Sequence, residues 1–206
     1  GRESEHFYDI PHSRTSVMRA ARDTRDHIFY IGAWRAPSVN TNTFARESHM
    51  DMLAAAAGID PVELRLRHLE HDPRMAQEVK SGAERFGWTP AKGPSGRGYG
   101  FAVGIDVGSD VGVFDEVDVE KDTGYVQVKR AGCVQDMGMV VNPQGTIIQA
   151  EGCVTMGLGY ALAVDIEVRG GDVITKNFDS YQLPLFSWVP EAIDTVLLER
   201  QDQPPQ

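Results

Sequence analysis

The sequence predicts an α+β fold: helices first, then a mostly antiparallel sheet that carries one long Gly-rich helix. Three observations lead there. Helix patterns follow one another in tandem between residues 42 and 87, Val-, Phe- and Tyr-rich segments follow residue 99, and an apolar stripe runs from Ile147 to Leu162 in a segment that also holds Gly152, Gly157 and Gly159. At 206 residues and 41% hydrophobic, the chain can bury one sizeable core, or two small domains sharing one.

The elements justify themselves in order. Residues 7–10 are expected to be extended, and a second strand is expected over residues 27–31. From residue 42 the apolar positions Phe44, Ala45, Met50, Met52, Leu53, Ala56 and Ala57 keep a period near 3.6, and Gly58 supplies a left-handed stop. Asp60-Pro61 then reads as a helix start, an Asp able to accept from free backbone N–H groups followed by a Pro whose missing N–H costs nothing there. Asp72-Pro73 repeats the signal and opens a third helix that ends at Gly87. Residues 89–98 hold prolines and glycines among few apolar side chains and read as a linker between 1–88 and 99–206. Strands are expected over 99–107, 112–120 and 125–134, the last two joined by the turn Lys121-Asp122-Thr123-Gly124. After Asn142-Pro143 a helix runs over 144–162 with Ile147, Ile148, Val154, Leu158 and Leu162 on its apolar stripe. Each of its glycines costs about 1 kcal/mol against Ala, so close backbone approach, to a sheet or to a ligand, is the expected compensation. Gly170-Gly171 turns a short hairpin, and a strand over 193–198 closes the chain.

Composition removes several functions. Thirty acidic against twenty basic residues give a net charge of −10, which argues against binding to nucleic acid. No apolar run approaches the ~20 residues of a membrane span, and the opening Gly-Arg-Glu-Ser-Glu does not read as a signal peptide. Cys133 and Cys153 fit neither a disulfide framework nor a metal knuckle. His68 and His71 share a helix face without a third ligand and read as solvated side chains. There is no Gly-x-Ser-x-Gly turn for a hydrolase and no Gly-x-Gly-x-x-Gly or Gly-Lys-Ser/Thr loop for a nucleotide. Seven acidic side chains between Asp106 and Asp122 alternate with apolar ones, which places Asp118 and Glu120 on the solvent face of a hairpin. Two segments remain. In Gly32-Ala-Trp-Arg35-Ala-Pro-Ser38 a guanidinium sits ahead of a helix start, where it could grip a phosphate or a pterin-like heterocycle, or tie a loop to a carboxylate. In Gln149-Ala-Glu-Gly152 a side-chain amide lies beside a glycine that a flat ligand, or a packed helix, could approach.

Together these stretches resemble the large molybdenum-cofactor-binding subunit of the xanthine dehydrogenase and aldehyde oxidase family, in particular its isoquinoline 1-oxidoreductase-like branch. The resemblance runs in register through Tyr8-Asp-Ile-Pro11, Gly32-Ala-Trp-Arg35, residues 44–54 and 57–65, Val117 to Gly124, Gln135-Asp-Met-Gly138, Val141-Asn-Pro143, Gln149 to Gly159 and Asn177-Phe-Asp-Ser-Tyr181. It implies the fold of a molybdenum-cofactor-binding domain whose two parts, 1–88 and 99–206, belong to one cofactor-binding region. It implies a molybdopterin-type molybdenum cofactor touched by Arg35, Gln149 and Gly152, with no protein ligand to the metal. The activity implied is hydroxylation of N-heteroaromatic or aldehyde substrates with oxygen from water, with a glutamate as base. Electrons would leave through iron–sulfur clusters on a small [2Fe-2S] partner subunit. The glycine-rich loop that covers the cofactor in the family belongs upstream, and the base is expected beyond residue 206, so none of the present residues is assigned a catalytic role. Cys153 stands where the family pattern has Gly. The chain is therefore expected to be a C-terminal fragment that contributes part of the pocket without turning over alone, or else a non-catalytic binding or assembly module that keeps the fold without the cofactor. A soluble complex of bacterial type, cytoplasmic or periplasmic, fits the resemblance without choosing a compartment.

Overall fold

The computed structural model describes residues 4–16, 34–89 and 96–206. Three helices come first, α1 (Val39–Ala57), α2 (Pro61–Arg67) and α3 (Pro73–Phe86). The strands β1 (Arg97–Asp106), β2 (Ser109–Val119) and β3 (Val126–Asp136) then form an antiparallel meander, followed by α4 (Pro143–Leu162). A hairpin of two-residue strands, β4 (Val168–Arg169) and β5 (Asp172–Val173), precedes β6 (Ala192–Leu197), which joins β3 in parallel and makes the main sheet β1-β2-β3-β6.

The helix starts follow the predicted chemistry. The Asp60 carboxylate accepts from Val62 N and Glu63 N, both at 2.9 Å, and Asp72 accepts from Met75 N at 3.0 Å. Asn142 does the same for α4, accepting from Gly145 N at 3.0 Å with Pro143 as first helical residue. The strand expected over residues 7–10 does not form. Tyr8 is instead drawn into the core and Asp9 N donates to His68 O at 2.8 Å, so the helices hold this segment, and among the described residues no strand pairs with it. The strand expected over 27–31 lies outside the described residues. β1 begins at Arg97, inside the expected linker, and ends at Asp106 because Val107 and Gly108 both take positive φ in the turn to β2.

The sheet is covered on both faces. Along β2 the residues Gly112 and Phe114 point toward α3, while Val111 and Val113 point toward α4, the period-2 alternation of a strand buried on two sides. Phe101 and Phe114 stack at 4.2 Å between ring centres, and Trp88 meets Tyr99, Phe101 and Phe114 edge-on. α3 comes close enough that a β-carbon on Gly82 would lie 2.4 Å from Phe114 Cε2 and 2.7 Å from Val134 Cγ1. On the other face Ala150 and Val154 of α4 pack on Ala131 and Cys133.

Buried charge sets the joints. Glu47 of α1 accepts from Arg65 Nε (2.8 Å), Arg46 Nε (2.9 Å) and the Tyr8 hydroxyl (3.0 Å), with Val103 N of β1 at 3.4 Å. Arg65, wholly shielded from solvent, also donates to Glu47 O and Pro61 O and pairs with Asp51 at 2.8 Å. A second cluster lies where α3 crosses the ends of β2 and β3. Asp136 accepts from Arg74 Nη2 (3.0 Å), Gly138 N (3.1 Å) and Arg200 Nε (2.5 Å), and Arg74 Nε lies 3.3 Å from Asp110. Burial opposes ionisation of Asp136, but the Arg74, Gly138 and Arg200 hydrogen bonds outweigh it and hold this carboxyl below the usual range. Glu78 is fully buried in the same place with both oxygens unpartnered among the described residues, and burial together with the charges of Asp110 and Asp136 pushes it up to about 9. Burial also lifts Asp110 to about 6, against the pull of Arg74.

The last residues are tied to this corner. Arg200 N donates to Gly138 O (3.4 Å), Met139 N to Gln203 O (3.1 Å) and Gln206 N to Met137 O (3.1 Å). Gly138 has φ 74°, and a β-carbon there would lie 2.3 Å from Pro204 O, so both its backbone conformation and the tail exclude a side chain.

Two outcomes follow from these joints. Replacing Glu47 by Leu leaves the Arg65 guanidinium buried without its main partner, and the unfolding free energy in a denaturant titration should fall by about 3–5 kcal/mol. The folded state holds a proton on Glu78 that the unfolded chain releases, so raising the pH through the interval between its unfolded and folded pKa values favours unfolding. The denaturation midpoint should therefore decline between pH 6 and 9, above the Asp110 titration, and Glu78→Gln should flatten that decline; an unchanged slope in the variant would remove Glu78 as its source.

Candidate functional site

α4 offers two different faces. Ala150, Val154 and Leu158 lie on the sheet, whereas Gln149, Cys153, Met156 and Tyr160, spaced i, i+4, i+7 and i+11, form a stripe turned away from it. That stripe extends ~16 Å along the helix. Gln149 is exposed, with its Nε2 3.5 Å from Cys153 Sγ. Gly152 is also exposed, and a β-carbon there would meet nothing within 4 Å among the described residues. The expected close approach therefore holds for Gly159, where a β-carbon would lie 2.8 Å from Pro184 Cγ, while Gly152 and Gly157 have no such neighbour among the described residues.

Arg35 arrives at this stripe from the other end of the chain. It lies just ahead of α1, and its guanidinium reaches the Met156 sulfur of α4. Among the described residues no carboxylate pairs with it. The turn that delivers it is strained: Ala36 (φ 52°) and Ser38 (φ 69°) both sit in the left-handed region, at a cost of about 1–3 kcal/mol each. Trp34, 64% exposed, sets its ring edge-on to Tyr160 at 6.2 Å. Arg35, Trp34, Met156, Tyr160, Tyr181 and Leu183 line an open groove of about 490 Å³. The structure thus brings Arg35 onto the same helix stripe as Gln149 and Gly152, with Arg35 at the Met156–Tyr160 end and Gln149 about two turns nearer the helix start. Sequence reasoning singled out all three but missed the tyrosines, Tyr160 because its ring falls on the stripe of Gln149 only once the helix phase is known, and Tyr181 because the chain returns to α4 from a loop.

The remaining candidates are structural. His71 Nδ1 pairs with Asp9 at 3.0 Å and His68 Nδ1 lies 2.8 Å from Leu64 O. Among the described residues no group of three or more His, Cys, Asp or Glu side chains is arranged to hold a metal ion. Asp118 and Glu120 are exposed as expected, but Asp110 and Glu116 of the same acidic run are buried, and Glu116 is held by Arg97 and by Arg130 Nε at 2.5 Å. No described helix is long and apolar enough to cross a membrane.

The structure is thus an α+β domain with a guanidinium, an amide and a bare glycine along the outward side of one helix. Residues 13–190 match the molybdopterin cofactor-binding domain family, and the chain belongs to that family, within the xanthine dehydrogenase and aldehyde oxidase group. It is 36% identical to a nicotinate dehydrogenase subunit of Pseudomonas putida over 96% of its own length and 17% of that protein's, and 31% identical to the beta subunit of the isoquinoline 1-oxidoreductase of Brevundimonas diminuta over 89% and 23%. It thus spans less than a quarter of either relative. The aldehyde oxidoreductase of Desulfovibrio gigas shares its fold, with TM-score 0.66 and 12% identity over 82% of this chain and 36% of that one. The residues present fit a molybdopterin: the Arg35 guanidinium, beside which no described carboxylate lies, and the exposed Gln149 amide supply donors, and Gly152 leaves space for a pterin among the described residues.

The contrast between the glycines is measurable. Gly152→Ala should leave thermal stability unchanged or raise it by up to about 1 kcal/mol through helix propensity. Gly159→Ala, facing Pro184, should lower it by about 1–3 kcal/mol as overpacking does. Thermal unfolding of the two variants side by side checks both signs.

Proposed function

We propose that this chain forms one wall of the molybdopterin pocket in a molybdenum hydroxylase that hydroxylates N-heteroaromatic or aldehyde substrates with oxygen derived from water. The observation that carries the reading is the convergence of Arg35 on the outward stripe of α4, where Gln149 and Gly152 also lie, in a chain of the molybdopterin-binding family. When bound, the cofactor supplies the oxygen-transfer and electron-accepting chemistry. The chain's own residues hold and orient it: Arg35 offers a fixed, charged donor fork, Gln149 an amide able to donate and accept, and Gly152 a backbone that a ring can lie against. The buried joint at Glu47 and the strained turn at Ala36–Ser38 keep Arg35 in place, which is what a pocket wall must do.

In this reading residues 1–88 and 99–206 are two parts of one cofactor-binding region joined by 89–98. The rest of the same subunit completes the pocket and supplies the base, and a small [2Fe-2S] subunit takes the electrons. The Pseudomonas and Brevundimonas relatives are both named for N-heteroaromatic compounds, nicotinate and isoquinoline, which favours that substrate class over aldehydes.

The test is cofactor content. In the complete encoded subunit, made together with its maturation factors, metal analysis should find molybdenum, and fluorescence after oxidation should find the pterin. Arg35→Ala should lower molybdenum occupancy by about tenfold, the equivalent of one charge-assisted contact, with unchanged thermal unfolding. A parent protein free of both molybdenum and pterin would sink the proposal and leave an assembly or binding module in its place.

A further inference from the structure

The two edges of the main sheet are finished differently. At β1 the outward N–H of Val103 donates to the Glu47 carboxylate (3.4 Å) and its carbonyl accepts from Arg46 Nη2 (3.1 Å), so side chains of α1 close the middle of that edge. At the other edge stands β6, and among the described residues no strand pairs with its outer side. The parallel ladder fixes which groups are left over. Leu198 N donates to Gln135 O (2.9 Å), and backbone polar groups alternate in direction along a strand, so the N–H and C=O of Ile193, Thr195 and Leu197 point away from β3. Nothing in the strand guards them. Natural sheets blunt an open edge with Lys, Pro or a bulge, whereas β6 reads Ala-Ile-Asp-Thr-Val-Leu, and its one charge, Asp194, is held by Arg85 of α3 at 2.8 Å.

A groove lies beside this edge. Ala192 and Asp194 of β6 are exposed, and between the strand and α3 the residues Gly82, Phe86, Phe114, Val134 and Val196 line an apolar hollow of about 200 Å³. An apolar cavity of about 150 Å³ is enough to hold benzene, so this one takes a large apolar side chain. Arg85 and Arg130 stand at its rim, but Arg85 pairs with Asp194, and Arg130 bonds Glu116 and lies 4.0 Å from the centre of the Phe86 ring. Both guanidiniums are thus engaged, which leaves the groove to an uncharged occupant. A row of outward backbone groups with a side-chain slot beside it is what strand addition uses. The size of the site says where the strand comes from. Six residues of edge and one slot fall well short of the ~1,000 Å² that a stable interface between separate chains needs, whereas a strand tethered to the same polypeptide is present at a roughly millimolar effective concentration. Both the Pseudomonas and the Brevundimonas relatives run to more than four times the length that this chain matches.

We propose that in the complete subunit an extended segment from outside residues 1–206 pairs with the outer edge of β6 and seats one large apolar side chain in the groove beside α3. The pairing rests on the reading of this chain as part of a longer subunit, and not on the hydroxylase chemistry.

The test is photo-cross-linking in the complete encoded subunit, purified with its partners and carrying p-benzoylphenylalanine in place of Ala192 at the groove. Peptide mapping should place the cross-link within the same polypeptide, outside residues 1–206. In the unaltered protein the Ile193, Thr195 and Leu197 amides should exchange hydrogen about a hundredfold or more slowly than in an unstructured peptide, as paired edge groups do. Ala192→Glu, which sets a charge at the mouth of the groove, should speed those three amides by about tenfold while the β3 amides keep their rates. A cross-link confined to residues 1–206, one to a second copy or to a small subunit, no cross-link at all, edge amides that exchange freely, or rates untouched by Ala192→Glu would each overturn the pairing. Molybdenum and pterin content of the same samples reports on the other reading separately. The mapped strand in protein lacking both upholds the pairing and sinks the hydroxylase; loaded protein without the strand does the reverse.

Discussion

A single carboxylate, Glu47, decides how the helical half of the molecule meets the sheet. It is buried, and a buried charge is tolerated only when it is paired and its remaining lone pairs are satisfied. Those partners come from four separate segments: Tyr8 near the start, Arg46 on the same helix, Arg65 on α2 and Val103 on β1. The angle of α1 is therefore set by charge as well as by packing, and α1 is the helix whose start carries Arg35 to α4.

Much of this was legible because local chemistry repeats. The Asx-Pro starts at Asp60, Asp72 and Asn142 each place a side-chain acceptor before a residue that has no N–H to satisfy, and each opens a helix. Arg35 and the α4 motif were visible as unusual residue types for their surroundings, and the family resemblance joined them. What stayed hidden depends on partners distant in sequence. The acidic run from Asp106 gives an alternation but not a solvent side, and Asp110 and Glu116 are buried because Arg74, Arg97 and Arg130 meet them there. Residues 7–10 read as a strand from their own composition, yet Tyr8 finds its partner 39 residues away on Glu47. The glycines of α4 illustrate the same limit: one spacing signal covers Gly159, which meets Pro184, and Gly152, which meets nothing among the described residues.

The acidic corner at Asp136 belongs to the same logic at larger scale. Two guanidiniums face three carboxyls, and the protonated Glu78 lets the corner approach charge balance without a third cation. Asp136 also joins the end of β3 to the tail through Arg200, so the turn that leads into α4 is held from both sides. Two polar joints thus brace the sheet that α4 lies on, Glu47 against β1 and Asp136 at the end of β3.

The parallel pairing of β6 with β3 sets an order of events. Residues 130–135 wait for residues 192–197, with the whole of α4 between them. On the ribosome, α1 to α3 and the β1–β3 meander have most of their mutual contacts once residue 136 has emerged, but β3 still lacks β6, Arg85 of α3 lacks Asp194, and Asp136 lacks Arg200. α4 then lies on a sheet that still lacks one strand, and the Gly138 turn lacks the tail that closes over it. The outward stripe of α4 accordingly rests on a four-stranded sheet that is complete only once β6 has joined β3.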